Sequence, residues 1–218
     1  MAFDRRRVRR TAEFAKLLGT GRGSEFGVGS ADLTRWAALV AGDAATVPPM
    51  RGAISSCTLT LEPIAARGTW SGRSPFTPVQ AGKPVQAGKP VQAGKPVQAG
   101  KPVQAVKDDG PVAVLTRARL RPRLARAFWK SIEGIAVDGA EGLHCAFGFG
   151  EAPVGFQGTM SVWRSAADVV RFAYRRPEHA AVVTRTAELG WYAEELFARF
   201  RVLGIDGDRQ VIGWRDGQ

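Results

Sequence analysis

Two histidines in different segments are the side chains of this sequence best suited to metal or acid–base chemistry. His179 lies in FAYRRPEHAAVV and His144 lies in HCAFGFG. A neutral imidazole can hold a metal ion or exchange a proton near neutral pH. His179 can equally be an ordinary polar residue on a helix surface, beside Glu178 and Arg175. The residues alone leave both interpretations open, as they do a facial iron site built from both histidines and one carboxylate.

Glu151 and Gln157 stand on either side of a short glycine- and proline-containing loop between two predicted strands. Both are candidate catalytic residues, because they could relay a proton or bind oxygen at the mouth of a pocket. Trp163 and Trp191 are candidates for the walls of an elongated apolar substrate pocket, although packing in the core is the ordinary role of a buried tryptophan.

The two cysteines predict neither an iron–sulfur cluster nor a structural zinc site. Cys57 and Cys145 lie far apart, and no C-x-x-C pair occurs. Clusters and structural zinc sites need more soft ligands than two isolated thiols can supply. The pattern therefore favours two buried, reduced thiols in a cytoplasmic protein.

The net charge of +11 at pH 7 is concentrated in three segments. Five lysines lie in one acid-free repeat, and without them the net charge is 11 − 5 = +6. The other basic residues form two clusters: Arg5, Arg6, Arg7, Arg9 and Arg10, then Arg117, Arg119, Arg121, Arg123 and Arg126. Such clusters could follow phosphates or lie against an anionic membrane surface, but solvated protein faces are the favoured interpretation. No helix-turn-helix, zinc-finger or RNP pattern is present, so nucleic-acid binding is not expected.

The composition is that of an ordinary globular protein, with 44% hydrophobic and 23% charged residues among 218. No apolar run approaches the roughly 18 residues that indicate a membrane-spanning helix. The N-terminal arginines are not followed by an apolar segment, so a secretory signal is not expected. We expect a cytoplasmic protein, with peripheral attachment at the inner membrane surface as the second expectation.

A tandem repeat divides the chain. Residues 78–101 read PVQAGK four times, and residues 102–107 read PVQAVK. Proline and glycine in every unit disfavour helices and strand pairing, and the units have too little apolar mass to form a core. The sequence therefore predicts an N-terminal domain over 1–77, a disordered linker over 78–107 and a C-terminal domain over 108–218.

The C-terminal domain has the pattern of an α+β unit. VAVLTRARL (112–120) alternates as a strand, with Arg117 and Arg119 opposite its apolar residues. RPRLARAFWKSI predicts a helix, HCAFGFG and GTMSVW predict two strands, and ELFARFRVL predicts the last strand. Ser165 and Asp168 form a capping box before a second helix. The order β-α-β-β-α-β is that of a ferredoxin-like unit.

The N-terminal domain looks like a degenerate copy of the same unit. AEFAKLLGTG and RWAALVAG predict its middle strands, and CTLTLEPIAARG predicts its last strand. A first strand is missing, and residues 42–54 are too short and proline-broken for a regular helix. Two such units packed sheet to sheet would form a barrel of the dimeric α/β type around an apolar space.

Six segments of the chain resemble, in the same order, those of the spheroidene monooxygenase family, whose members are also called acyclic carotenoid 2-ketolases. The segments are AEFAKLLGTGRGSEF, LEPIAARGTWSGRSPF, LTRARLRPRLARAFW, FGFGEAPVGFQGTMSVW, FAYRRPEHAAVV and GWYAEELFARFRVL. They cover nearly all of residues 12–77 and 111–205. The resemblance implies a dimeric α/β-barrel architecture and a haem-dependent monooxygenase that takes electrons from reduced ferredoxin. It further implies an apolar, polyene-like substrate, whose terminal C-2 position becomes a carbonyl in the carotenoid members.

The same resemblance assigns possible cofactor ligands. It implies that His179 is the axial ligand of the haem iron, and that Arg117 and Arg119 meet the haem propionates. No G-x-G-x-x-G opens a helix after a strand, so a flavin in a Rossmann domain is not expected. The alternative function is a degenerate, non-catalytic barrel that binds a small apolar ligand or a partner, because the first half lacks a strand and a helix.

Overall fold

The structure is a computed structural model that describes residues 2–24, 29–42, 45–47, 50–79, 110–124, 137, 139–151, 156–175 and 191–216. Within these ranges the strands are β1 (Phe14–Gly21), β2 (Ala31–Ala41), β3 (Cys57–Gly68), β4 (Val112–Leu120), β5 (Leu143–Glu151), β6 (Phe156–Trp163) and β7 (Tyr192–Gly207). The α-helices are α1 (Ala2–Arg9) and α2 (Ala166–Arg175), and 3₁₀ turns lie at Pro122–Leu124 and Arg209–Ile212. Among the described helices, none is long and apolar enough to cross a membrane.

The strands form one antiparallel sheet in the order β2-β1-β5-β6-β4-β7-β3. This sheet curls into a half-barrel with few helices, which confirms the coarse expectation of an α+β, barrel-like fold. The two halves of the sequence do not form separate sheets. Strand β1 pairs with β5 and strand β3 pairs with β7, so strands of the first half extend both edges of the second.

The elements predicted for the C-terminal half are confirmed where the structure describes them. Strand β4 occupies the predicted residues, β5 and β6 are the middle strands, and β7 is longer than the predicted last strand. The Asp168 N–H donates to Ser165 Oγ (3.2 Å), and the Ser165 hydroxyl donates to Asp168 Oδ2 (2.7 Å), so the predicted cap of α2 is present. Of the helix predicted after β4, the structure describes only the turn at Pro122–Leu124; residues 125–132 lie outside the described ranges.

In the N-terminal half, β1, β2 and β3 are the three strands that the sequence predicts. The residues before β1 form helix α1, whose Val8 is buried, and the described residues include no strand ahead of it. The described part of residues 42–54 contains no helix. Of the repeat, the structure describes Pro78 and Val79; the prediction of a disordered linker over the rest lies outside the described residues.

Strand β4 is buried on both faces, and this changes the meaning of its alternation. Val112 and Val114 pack in the cluster on the helix side, with α2 residues, whereas Ala113 and Leu115 belong to the concave core. Arg117 follows Leu115 on the concave face and is 2% exposed. The prediction that a solvated face carries Arg117 is therefore wrong.

Aromatic side chains fill the concave face of the sheet. At one end of β5, the Trp70 ring lies 5.5 Å from the Phe14 ring and 5.9 Å from the Phe149 ring, measured between centroids. At the other end, Ile212 and Trp214 are buried in the same core. In the described part of the chain, protein side chains thus occupy the apolar space that the barrel prediction left open.

The core depends on a close approach at Gly158, which lies beside β4 and under Phe149. A Cβ atom there would lie 2.3 Å from the Thr116 carbonyl oxygen and 2.4 Å from Phe149 Cζ. We expect Gly158→Ala to lower the free energy of unfolding by about 1–3 kcal/mol in urea denaturation, the usual effect of overpacking. Gly29→Ala is the control, because a Cβ there meets nothing within 4 Å. Equal stability of the two variants would contradict this packing.

Candidate active site

A cluster of four charged side chains lies on the concave face around the indole of Trp70. Arg117 on β4 and Glu194 on β7 form an ion pair in which the side chains are 1% and 10% exposed. Lys16 on β1 and Glu151 at the end of β5 form a second pair, with 3.0 Å between Lys16 Nζ and Glu151 Oε2. Two cations and two carboxylates balance one another, which makes their burial affordable in free energy only as a set.

Glu151 joins the two pairs. Its Oε2 accepts from Lys16 Nζ, and its Oε1 accepts from the Trp70 indole N–H. The same Oε1 lies 3.9 Å from Arg117 Nη2. The side chains of Lys16 and Glu151 are 17% and 13% exposed, so this pair is the part of the cluster within reach of solvent. A carboxylate held beside an ammonium at a partly open position can accept and return a proton.

Glu194 fixes the turn that carries Trp70. Trp70 and Arg73 exchange backbone hydrogen bonds of 2.7 and 3.2 Å, and the residues between them, Ser71 and Gly72, have φ of 55° and 72°. These are the positive φ values of a tight hairpin turn, which is unusual for serine. The Glu194 carboxylate accepts from the Gly72 N–H at 2.8 Å and from the Thr69 hydroxyl at 3.1 Å. The turn is therefore anchored to β7 by a charged group.

The environment of Glu194 favours its ionised form. Burial alone would raise the pKa of this carboxyl, but hydrogen bonds from the Gly72 N–H and from Arg117, with the charge of Arg117, outweigh burial and lower the pKa to about 2. Glu194 therefore remains an anion at every pH at which the fold is expected to persist. Its role is to hold charge and geometry, while proton exchange falls to the more accessible Glu151.

The indole of Trp70 lies between cations and rings. Lys16 Nζ is 5.6 Å and the Arg117 guanidinium carbon is 5.4 Å from its ring centroid. Both distances are within the range of cation–π attraction. Trp70 itself has no exposed surface. The tryptophan thus fills the core and orients Glu151 through its N–H.

The structure brings together two of the residues nominated from the sequence, Glu151 and Arg117. Gln157 pairs with Gly150 and Ala118, and the alternation of β6 places it on the opposite face of the sheet. Arg119 lies toward the end of β4 and is exposed.

The two tryptophans and the two histidines lie away from the charged cluster. Trp163 packs in the helix-side cluster, where its N–H donates to Ser161 Oγ at 2.9 Å, and Trp191 is 1% exposed. His144 lies at the start of β5, and His179 lies outside the described residues. The roles predicted for these side chains stay predictions.

His144 and Cys145 line a small cavity of about 120 Å³ beside the C-terminal 3₁₀ turn. The imidazole stacks on Trp214 with 4.4 Å between ring centroids, and its Nδ1 lies 3.1 Å from the Arg215 carbonyl oxygen. Burial raises the pKa of the Cys145 thiol to about 12, so this sulfur is not a nucleophile at neutral pH. Within the described ranges, no group of three or more potential metal ligands occurs.

Three members of the cluster, Lys16, Trp70 and Glu194, were not predicted from the sequence. Each has a weak signal in hindsight. Lys16 interrupts the apolar run of EFAKLLG, and Glu194 lies within an alternating strand segment. A lone charge in a strand that packs on both faces is a candidate for a buried ion pair. The partner, however, can be identified only when strand order is known.

Sequence comparison finds curated relatives that share one description, spheroidene monooxygenase. The chain is 34% identical over 157 residues to the protein from Rhodobacter capsulatus, covering 71% of this chain and 56% of the relative. Identity to the Rubrivivax gelatinosus protein is 31% over 209 residues, covering 90% and 71%. Identity to the Cereibacter sphaeroides protein is 32% over 156 residues, covering 70% and 40%.

The chain therefore spans between 40% and 71% of the length of these relatives. No protein-family model matches the chain. A solved structure from Fusobacterium nucleatum superposes with a TM-score of 0.40 at 17% identity over 48% of each chain. That likeness is too low to support any inference.

The ion pair of Glu194 makes a prediction about acid stability. Its pKa of about 2 lies below the usual 4.5, so the pair stabilises the fold above about pH 4.5, and this stability is lost as the pH falls toward 2. We expect Glu194→Gln to lower the free energy of urea unfolding at pH 7 by about 3–5 kcal/mol, because Arg117 loses its principal countercharge. The variant should also show a flatter dependence on pH between 5 and 2 than the parent chain.

Glu62→Gln is the matched control for that experiment. Glu62 also pairs with an arginine on β7, Arg201, but the two side chains are 26% and 38% exposed. An exposed pair of this kind contributes less than about 1 kcal/mol. Similar losses in both variants would show that burial of the Arg117 pair has no special weight.

Proposed function

The chain belongs to the spheroidene monooxygenase family, and from this we propose that it is a monooxygenase that inserts oxygen into an apolar, carotenoid-type substrate. The observation that carries the proposal is 31% identity over 90% of the chain to a relative of which it covers 71%. Such coverage includes both halves of the sheet and every member of the charged cluster. The substrate, a polyene-like small molecule, and the electron donor, a ferredoxin-type reductant, are parts of the same proposal.

We further propose that the half-barrel consists of two ferredoxin-like halves. Strands β5-β6-β4-β7 have the order and the antiparallel directions of a β-α-β-β-α-β unit. In the first half, β1, β2 and β3 correspond to the second, third and fourth strands of such a unit. Helix α1 then occupies the place of its first helix, directly before β1.

Haem is the cofactor that the family resemblance implies, with His179 as axial ligand. Oxygen insertion needs a redox cofactor, because ordinary side chains do not activate oxygen. The described residues do not fit a haem: their cavity of about 120 Å³ is well below the roughly 300–1,000 Å³ of ligand pockets, and the concave face is filled. Arg117, nominated for a propionate, is paired with Glu194 instead. No step is therefore derived through haem.

The chain's own residues support a proton relay on the concave face. In the proposal, Glu151 is the proton-handling group, because it is the carboxylate of the cluster that is partly open to solvent and hydrogen-bonded to a cation. Lys16 exchanges protons with Glu151 Oε2, and Trp70 holds Oε1 in place. Arg117 and Glu194 are positioning residues that act through Trp70 and its turn.

Attachment to an anionic membrane surface is a further part of the proposal. Four exposed arginines surround helix α1 and the residue after it: Arg6, Arg7, Arg9 and Arg10. Basic side chains on one short segment are attracted to acidic lipid headgroups. This arrangement would bring the protein to the membrane in which apolar polyenes dissolve.

A non-catalytic, ligand-binding barrel is the second candidate function. The filled concave face and the three-stranded first half favour it. The two candidates differ in one respect that is easy to measure, since only the enzyme should bind haem and turn over substrate.

Haem binding tests the cofactor. We expect the purified full chain to develop a Soret band when titrated with haemin, and His179→Ala to abolish the band, because an axial imidazole is lost. His144→Ala is the control, since His144 is already stacked on Trp214, and it should retain the band. A chain that stays colourless with haemin would favour the non-catalytic barrel.

Turnover tests the proton relay. We expect Glu151→Gln to lower the rate of carotenoid oxidation with reduced ferredoxin by about 10²-fold, the lower range of general acid–base effects. Haemin affinity should not change, because the substitution keeps the shape of the side chain. Glu141→Gln removes a carboxylate that is 68% exposed, in pairs with Arg164 and Arg171 at the surface, and should leave the rate unchanged. Equal rates for all three proteins would exclude the relay.

A further inference from the structure

The two edges of the sheet point in the same direction. Counting across the antiparallel order from β2 through β1, β5, β6, β4 and β7 to β3 reverses the direction six times. Strands β2 and β3 therefore run parallel to each other. One additional strand, and only an odd number of them, could pair antiparallel with both edges at once.

The position between these edges has an occupied counterpart in the second half. There, β4 lies between β6 and β7, the third and fourth strands of its unit. In the first half, β2 and β3 are the third and fourth strands. Among the described residues, β2 pairs with β1 alone, and β3 pairs with β7 along its length.

We propose that β2 and β3 form a seat for one further extended strand. Its occupant is a peptide segment of about eight residues with the alternating apolar chemistry of β4, supplied from outside the described strands. The inference goes beyond the proposed function, since it concerns an interaction surface and needs neither cofactor nor turnover.

The burial of the two edges supports the seat. Inward-facing residues of both strands pack against the concave core but are only half-buried: Ala37, Leu39 and Ala41 on β2, and Cys57, Leu59 and Leu61 on β3. At the equivalent place, β4 buries Ala113 and Leu115 completely. A strand between the edges would cover the remaining apolar surface of both, which favours binding by about 25 cal/mol per Å² of apolar area.

The C-terminal 3₁₀ turn holds the seat at one end. Arg35 on β2 donates to the Val211 carbonyl oxygen at 3.0 Å. Asp208, the N-cap of that turn, accepts from Ser55 Oγ at 2.8 Å and donates its N–H to the Ser56 carbonyl oxygen at 2.9 Å, just before β3. The two edges are thus tied to one short segment, and a strand entering between them meets a preformed site.

The edge of β3 already accepts one hydrogen bond from an extended segment. The Val79 N–H donates to the Pro63 carbonyl oxygen at 2.9 Å. The repeat that continues from Val79 is a poor occupant in sequence terms, because a proline in every unit removes a ladder donor and its units lack β-branched alternation. A second copy of the chain is also disfavoured, since an entire sheet edge would not enter a space bounded on both sides.

The full chain and a synthetic peptide with the β4 sequence, VAVLTRARL, test the proposal by amide hydrogen exchange. We expect the peptide to slow exchange in both β2 and β3 by at least about tenfold, because each edge gains ladder hydrogen bonds. A peptide with proline at the place of Leu115 is the control and should have no effect. Slowing in both strands with the first peptide alone would support the seat, and slowing in one strand alone would overturn it.

A fusion keeps the test decisive if the free peptide binds too weakly. In this variant VAVLTRARL is joined by a short glycine–serine linker ahead of α1, and the control fusion contains the proline. A higher melting temperature and slowed exchange at both edges in the first fusion would support the seat. No difference between the fusions would overturn it. Edge protection in the parent chain that disappears when residues 80–107 are deleted, or that appears only on dimerisation, would also overturn it.

Discussion

A guanidinium buried within the sheet sets the main constraint on this structure. Arg117 is 2% exposed, and an uncompensated charge at that depth would destabilise the fold by several kcal/mol. Its countercharges come from β7, through Glu194, and from the end of β5, through Glu151. Lys16 on β1 then balances the second carboxylate. One buried cation therefore fixes the relative positions of four strands.

The same constraint reaches the turn after β3. Glu194 neutralises Arg117 and also accepts the backbone N–H of Gly72, so the turn that inserts Trp70 depends on the anion that balances the arginine. Trp70 in turn donates to Glu151 and fills the space between two phenylalanine rings. Packing and charge are thus coupled at one place, and the group open to solvent, Glu151, is held by residues that are not.

Much of the fold could be predicted from the sequence, because alternation and capping act locally. Strand β4, the cap at Ser165 and the three strands of the first half follow from patterns within about ten residues. The face of Arg117 could not be predicted in this way. Alternation of period two states which residues share a face, but when both faces are buried it does not state which of them meets the core. Of the candidate site, Glu151 was found from its position at a strand end, whereas Lys16, Trp70 and Glu194 come from distant segments and meet only through strand order.

The two anchors around the tandem repeat have an evolutionary consequence. Val79 is bonded to Pro63 on one side, and the Pro111 carbonyl oxygen accepts the Val202 N–H on the other, so both ends of the connection are fixed to the sheet. The entropy of closing a loop grows only with the logarithm of its length, and doubling the length adds about 0.6 kcal/mol. Copies of the six-residue unit can therefore be gained or lost by replication slippage with little selection from folding, and copy number is free to drift between strains.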